Sequence, residues 1–177
     1  MSSQTALALH IFHKRECDPK KCTALKLSRL GLTNIVYRIG GLPTNSLLLY
    51  PYCNSTLAPN DHEIIAFNGL SAIDCSWNRI EVGTYAKRFN TRQLPFLLAA
   101  NPTNYAIPYK LSTLEALAAA LFITDFKDTA VKLLETMKWG PTFLTLNEEP
   151  LSLYASAKNS EEVKKIEADY RKIYSRE

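Results

Sequence analysis

Short apolar runs that do not alternate with polar residues govern what this chain can fold into. Leu7–Phe12, Asn34–Arg38, Ser46–Leu49, Glu63–Phe67, Ala72–Asp74 and Phe96–Ala100 are apolar, β-rich runs, several of them without alternation, and they are expected to be strands. A strand wet on one face alternates apolar with polar residues. One that is apolar at successive positions is buried on both faces, as in a parallel sheet covered by helices. Cys22–Gly31 and Asn78–Arg88 suit helices between the runs. From Ser112 the texture changes. Ser112-Thr113-Leu114-Glu115 sets a hydroxyl three residues before a carboxylate at the head of an Ala/Leu run, the pattern of a capping box. That helix is expected to reach about Ile123, with further helices over Asp128–Trp139 and Ser160–Tyr174, the last supported by pairs such as Glu161 with Lys165. The expectation is a mostly parallel α/β sheet domain over residues 1–110 and a helical C-terminal part over 111–177.

The 177 residues suffice for a real core, and 46% hydrophobic against 21% charged residues is ordinary for a soluble globular protein. No apolar stretch approaches the roughly 18 residues that span a bilayer, so no membrane partner is expected. Nor is a signal peptide, since Ala6–Phe12 leads straight into charge. Cys17, Cys22, Cys53 and Cys75 have no framework spacing, which points to reduced thiols and a cytoplasmic protein. Charge is uneven. Residues 1–110 hold 12 Lys and Arg against 6 Asp and Glu, while residues 111–177 hold 9 against 11. A basic first part suggests an anionic partner.

The string IDCSW, Ile73–Trp77, offers a carboxylate, a thiol, a hydroxyl and an indole in five positions. It could be a nucleophile, a metal site or a pocket wall. No histidine lies nearby to act as base for Cys75 or Ser76, and no nucleophile-elbow motif surrounds them. His10, His13, Cys17 and Cys22 match no standard zinc spacing, and His10 and His13 fall on opposite faces of a strand, so no metal is expected. No phosphate-binding glycine loop is present, because Gly40-Gly41 runs into Leu-Pro. What remains is a set of turns following the strands: Asp18–Thr23, Leu49–Pro51, Ile73–Trp77 and Ala99–Tyr105. In open α/β sheets, ligands bind outside the carboxyl ends of the strands.

The strings DPKKCT, LYP, IDCSW, RQLPFLLAANPTNY and YKLSTLEALAAA, in that order from Asp18 to Ala120, together resemble the small-subunit rRNA aminocarboxypropyltransferase family, with an archaeal member in view. The resemblance covers about Leu7 to Tyr154. It implies a fold similar to the knotted SPOUT RNA methyltransferases, hence a trefoil knot. It also implies transfer of the 3-amino-3-carboxypropyl group of S-adenosylmethionine to N3 of a pseudouridine-derived nucleotide in small-subunit rRNA during ribosome maturation, with release of methylthioadenosine. The implied partner is small-subunit rRNA or a pre-ribosomal particle, and a monomer is expected. One departure from the family pattern is Ala106, where a glycine usually follows the Asn-Tyr pair; it is expected to tighten that loop.

Carried onto this chain, the resemblance makes IDCSW a cofactor wall. The backbone of Ile73 meets the ribose, Leu94 and Tyr109 hold adenine by main-chain groups, and Thr113 completes that side. Leu49 and Pro51 pack on the nucleoside, and the Thr23 amide meets the aminocarboxypropyl arm. Trp77 covers the S-methyl group, so that the arm's methylene and not the methyl is presented. Asp74 is either a base for the N3 proton or a turn former bonding backbone amides. RNA binding falls to Lys14, Arg15, Lys20, Lys21, Lys26 and Arg29, with Lys87, Arg88 and Arg92 at the other rim. Two other readings use the same residues: a SPOUT-type methyltransferase, and a non-catalytic rRNA-binding assembly factor.

Overall fold

A computed structural model describes residues 7–74 and 87–174. Five strands form one sheet: β1 (Leu9–His13), β2 (Asn34–Val36), β3 (Leu47–Leu49), β4 (Leu70–Asp74) and β5 (Asn90–Arg92). Their order is β2-β1-β4-β3-β5, and every pairing is parallel. In the register of β1 with β4, Leu9 faces Leu70 and His13 faces Asp74. Helices α1 (Thr23–Arg29) and α2 (His62–Asn68) lie between strands. Five more follow: α3 (Thr113–Ile123), α4 (Lys127–Leu134), α5 (Gly140–Leu146), α6 (Glu148–Ser156) and α7 (Ser160–Tyr174).

The non-alternating runs are explained by two apolar layers. Leu9, Ile11, Leu47, Leu70 and Ala72 pack into a large core with α1, α3 and the later helices. Phe12, Leu48 and Ile73 belong to a smaller cluster with Leu42. Successive residues of the central strands therefore enter different apolar clusters. The large core draws on both 1–110 and 111–177, from Leu9 to Val163. At its centre lies α3, capped as its sequence implies: Ser112 Oγ accepts the Glu115 N–H at 3.2 Å, and Glu115 accepts the Ser112 N–H at 2.7 Å.

Three elements depart from expectation. Glu63–Phe67 is helical, inside α2. Pro59-Asn60-Asp61 turns the chain into it, the Asp61 carboxylate accepting the Ala58 N–H, and Gly69 ends it at φ 83°. Gly69 is required there because a Cβ would lie 2.5 Å from the Ala8 carbonyl oxygen. Phe96–Ala100 joins no strand ladder. Its backbone is satisfied from two sources: the returning 106–109 chain bonds Leu97 and Ala99, while the Asn147 amide bonds both the N–H and the carbonyl of Leu98, and Glu115 accepts the N–H groups of Ala100 and Asn101. The fifth strand is the polar Asn90–Arg92, partly exposed at the sheet edge and so without an apolar signature. The helix expected over Asp128–Trp139 spans Lys127–Leu134, and α5 and α6, each with a proline in its first turn or at its entry, carry no clear periodic signal. In α7, Glu161 pairs with Lys164 at 3.2 Å. The helix expected over Asn78–Arg88 falls almost wholly outside the described residues.

Ala106 has φ 59°, in the left-handed region that glycine occupies without cost. Its N–H donates to the Ala99 carbonyl at 2.7 Å, which fixes the turn. Left-handed backbone costs a non-glycine residue about 1–2 kcal/mol, and glycine loses about 0.5–1 kcal/mol more backbone entropy on folding. Ala106→Gly should therefore stabilise the fold by about 0.5–1 kcal/mol, read as a raised denaturation midpoint with unchanged m-value.

Candidate active site

The carboxyl ends of β3, β4 and β5 open on a pocket of about 170 Å³. Leu49, Tyr50 and Pro51 leave β3, Ala72 and Ile73 come from β4, and Gln93-Leu94-Pro95 follows β5. Tyr109, Thr113 and Ala116 close the far side from the start of α3 and the loop before it. Tyr109 also has φ 60°, and its N–H donates to the Leu97 carbonyl at 3.0 Å, so the chain turns back across the strand ends before α3 begins. The lining is largely apolar with a few polar groups, as small-molecule sites are. It is smaller than the roughly 300–1,000 Å³ common for whole ligands. A larger cavity of about 400 Å³ is lined by Phe96, Asn147, Glu149 and Tyr170. It is bounded mainly by the C-terminal helices and has no strand residue in its lining, so the smaller pocket is the better site.

The family model described as "Ribosome biogenesis protein, C-terminal" matches residues 47–171, which takes in every residue lining this pocket. A protein of Methanocaldococcus jannaschii named 16S rRNA aminocarboxypropyltransferase is 46% identical over 163 residues, 92% of this chain and 95% of the relative. A protein of the same name from Methanothermobacter thermautotrophicus is 44% identical, covering 90% and 96%. This chain belongs to the 16S rRNA aminocarboxypropyltransferase family. The solved structure of an enzyme described as a SAM-dependent rRNA:acp-transferase, from Vulcanisaeta distributa, matches with a TM-score of 0.82 at 44% identity, covering 90% of this chain and 88% of that one. A second family model, described as "Possible Fer4-like domain in RNase L inhibitor, RLI", matches residues 7–40.

Against that family background, the structure brings Leu49, Pro51, Ile73, Leu94, Tyr109 and Thr113 to the walls of one pocket. Thr23 lies elsewhere, at the first position of α1, and Trp77 lies outside the described residues. Two contributors carry no signal in the sequence. Glu167 and Arg171 reach the pocket from α7, where the Tyr109 hydroxyl donates to Glu167 at 2.8 Å and Arg171 Nε donates to that hydroxyl at 2.7 Å. Burial, then the hydrogen bond to Glu167, pushes the Tyr109 phenol well above its ordinary range. The phenol thus stays a neutral donor that ties α7 to the pocket wall. A polar helix with exposed ion pairs gives no hint of this, although Glu167 itself is buried.

Asp74 does not line the pocket. Its Oδ2 lies 3.4 Å from His13 Nε2, 3.3 Å from Cys22 Sγ and 3.9 Å from Cys17 Sγ. His13 Nε2 is in turn 3.2 Å from Cys17 Sγ and 3.3 Å from Cys22 Sγ. His10 is not among these residues, as its opposite strand face requires, but His13 finds partners on two other segments. Burial chiefly, with the Cys17 hydrogen bond and the Asp74 charge, pushes the Cys22 thiol up to about 12.

Lys14, Arg15, Lys20, Lys21, Lys26 and Arg29 are all exposed around the β1–α1 loop, as are Lys87 and Arg88 before β5. The Arg15 guanidinium stacks over the Tyr37 ring at 4.0 Å, and Lys26 Nζ reaches Met137 Sδ at 3.2 Å. Arg92 is different. It clamps the buried Asp61 with Nε and a terminal nitrogen, the closest approach 2.8 Å, and is committed to holding β5 against the turn before α2.

Proposed function

We propose that this chain transfers the 3-amino-3-carboxypropyl group of S-adenosylmethionine to N3 of a pseudouridine-derived nucleotide in small-subunit rRNA, releasing methylthioadenosine. The observation that carries the reading is the convergence of Leu49, Ile73, Leu94, Tyr109 and Thr113, from four separate segments, on one pocket at the strand ends. They do so in a chain 44% identical to a structure described as SAM-dependent. N3 forms a bond to the arm's γ-carbon as the carbon–sulfur bond breaks, the electron pair leaves with sulfur, and the N3 proton passes to solvent or a base. With sulfonium as leaving group, the protein's part is alignment. Leu49, Pro51 and Ile73 supply apolar walls for the nucleoside, Leu94 and Tyr109 present main chain to adenine, and Thr23, outside this pocket at the head of α1, offers its amide to an arm that extends beyond it. Trp77 covers the methyl group in this reading. Asp74, with Oδ2 engaged by His13 and two thiols outside the pocket, takes a positioning role in preference to that of base.

The same reading includes a SPOUT-type trefoil knot, to which the all-parallel sheet and the return of the 97–109 segment over the strand ends lend support. It also includes a monomeric, cytoplasmic protein, in keeping with the free thiols of Cys17, Cys22 and Cys53. The deciding experiment incubates the protein with small-subunit rRNA that carries the pseudouridine-derived nucleotide but not the aminocarboxypropyl group, and two cofactor samples, one labelled in the methyl group and one in the carboxyl group. Carboxyl label on RNA with none from methyl is expected. Methyl label alone would make this a methyltransferase, and no label from either would leave an rRNA-binding factor.

RNA binding by the exposed lysines and arginines of the β1–α1 loop should weaken steeply with salt, because each neutralised phosphate releases counterions. Lys20→Ala combined with Lys21→Ala is expected to lower the log–log salt slope by roughly one to two, at about 0.7–0.9 for each phosphate no longer neutralised, with the melting temperature unchanged. Filter binding across a salt series measures this, and an unaltered slope would move the RNA site elsewhere.

A further inference from the structure

We propose that His13, Cys17, Cys22 and Asp74 ligate one divalent transition-metal ion of the zinc type, which ties the β1–α1 loop to the end of β4. The four donor atoms all lie within 4.8 Å of one another. Bonds of about 2.3 Å to sulfur and about 2.0–2.2 Å to nitrogen and oxygen make tetrahedron edges of about 3.3–3.8 Å. Five of the six edges are 3.2 and 3.3 Å for nitrogen to the two sulfurs, 3.4 Å for nitrogen to oxygen, and 3.3 and 3.9 Å for sulfur to oxygen, and the sulfur-to-sulfur edge is within 4.8 Å. A hydrogen-bond network pairs donors with acceptors. Here imidazole nitrogen, carboxylate oxygen and both sulfurs crowd toward a common centre, which is the shape of a coordination shell.

The fold explains how residues so scattered come together. His13 and Asp74 are register partners at the ends of β1 and β4. Cys22 is the residue before α1, and its Sγ lies 3.3 Å from both His13 Nε2 and Asp74 Oδ2. Cys17 comes from the loop between. His13 and Cys22 are buried while Cys17 and Asp74 are half-buried, which shields an ion and still leaves an entry path. Two thiolates with imidazole select a borderline-soft ion over calcium or magnesium. A four-iron cluster needs four thiolates, and residues 7–40 hold only Cys17 and Cys22. Cys53 points elsewhere, to the Ser55 carbonyl at 3.4 Å.

Coordination has one local consequence. His13 Nδ1 accepts the Arg15 N–H at 3.1 Å, which places the neutral ring's proton on Nε2. Binding through Nε2 moves that proton to Nδ1, releases the thiol protons, and parts the Arg15 amide from the ring. That amide, at φ 61°, is therefore a reporter of occupancy. The site holds the loop that carries Lys20 and Lys21 and leads into Thr23, so the ion's role is to position, not to react.

The test uses the full chain, purified in reducing buffer without chelator. Elemental analysis should find about one zinc per chain, and cobalt substitution should give the visible absorption of a tetrahedral thiolate site. Cys17→Ser, the milder change because that thiol is half-buried, and Asp74→Asn should each lose or weaken the ion, while Cys53→Ser keeps it. Chelation should lower the melting temperature of the parent but not of Cys17→Ser, and should shift the Arg15 amide resonance. No retained metal and no cobalt spectrum in folded parent protein would overturn the proposal. So would iron with acid-labile sulfide, a Cys17–Cys22 disulfide in place of metal, or full metal content in folded Cys17→Ser. All these readouts are independent of RNA and of group transfer.

Discussion

Glu115→Ala is expected to cost about 3–5 kcal/mol, the largest stability loss of any single side chain around the pocket. The Glu115 carboxylate is fully buried and takes four N–H donors: Ala100 at 2.6 Å, Asn101 at 3.0 Å, the Asn101 side-chain amide at 2.8 Å, and Ser112 at 2.7 Å. Each orphaned buried donor costs about 1–3 kcal/mol, and the total falls short of the sum because Asn101 keeps its bond to the Lys110 carbonyl and the loop relaxes. For a chain of 177 residues, that corresponds to a melting temperature lower by roughly 10–15 °C. Glu115→Gln should fall between, since its amide nitrogen would face a donor. The same carboxylate fixes both ends of the loop that carries Tyr109 and ends at Thr113, so cofactor affinity should fall with stability. Chemical denaturation of the three proteins decides it. A Glu115→Ala protein within about 1 kcal/mol of the parent would show that this loop is held by other interactions.

Much of this architecture is legible in the sequence because burial on both faces leaves a run with no alternation. Leu9–His13, Leu47–Leu49 and Leu70–Asp74 can be recognised that way. The same rule misplaces Phe96–Ala100, which is equally apolar and equally buried, because composition reports burial and not the source of the hydrogen bonds. There Asn147, Glu115 and the returning 106–109 chain stand in for a neighbouring strand. Glu63–Phe67 misleads for a related reason. Five apolar-rich residues fit a strand or a helix turn, and the arbiters are Asp61 before and the left-handed Gly69 after. Edge strand β5 is invisible because half of it faces solvent.

The site divides along similar lines. Loops that follow strands can be aligned as motifs, so the pocket walls are legible from ordered strings. The part played by α7 is not, since Glu167 and Arg171 sit in a helix whose charges read as solvated. The His13, Cys17, Cys22 and Asp74 cluster is hidden for a geometric reason. His13, Cys17 and Cys22 are near in sequence, but Asp74 joins them only through the register of β1 with β4, across 61 residues that no linear motif records.

Ala116→Phe is expected to abolish cofactor binding while leaving the fold intact. Ala116 lies one helical turn beyond Thr113, on the same face of α3, and both residues line the pocket. A benzyl group at Ala116 projects into space the nucleoside needs, and because it fills an existing hollow the overpacking penalty of about 1–3 kcal/mol should be mostly avoided. What remains is a helix-propensity cost of about half a kcal/mol. Affinity for S-adenosylmethionine should fall by at least about 100-fold, near 2.7 kcal/mol, read by titration calorimetry. Ala118→Phe is the control. Ala118 is on the same helix but fully buried in the core and not in the pocket, so the same added ring should lower the melting temperature far more than Ala116→Phe does. Parent-like affinity in a folded Ala116→Phe protein would place the nucleoside elsewhere, with the 400 Å³ cavity beside Asn147 and Tyr170 the next site to probe. Loss of affinity in Ala116→Phe alone ties cofactor binding to the carboxyl ends of β3 and β4. There the parallel sheet, the Glu115-anchored loop and the α7 bonds to Tyr109 meet.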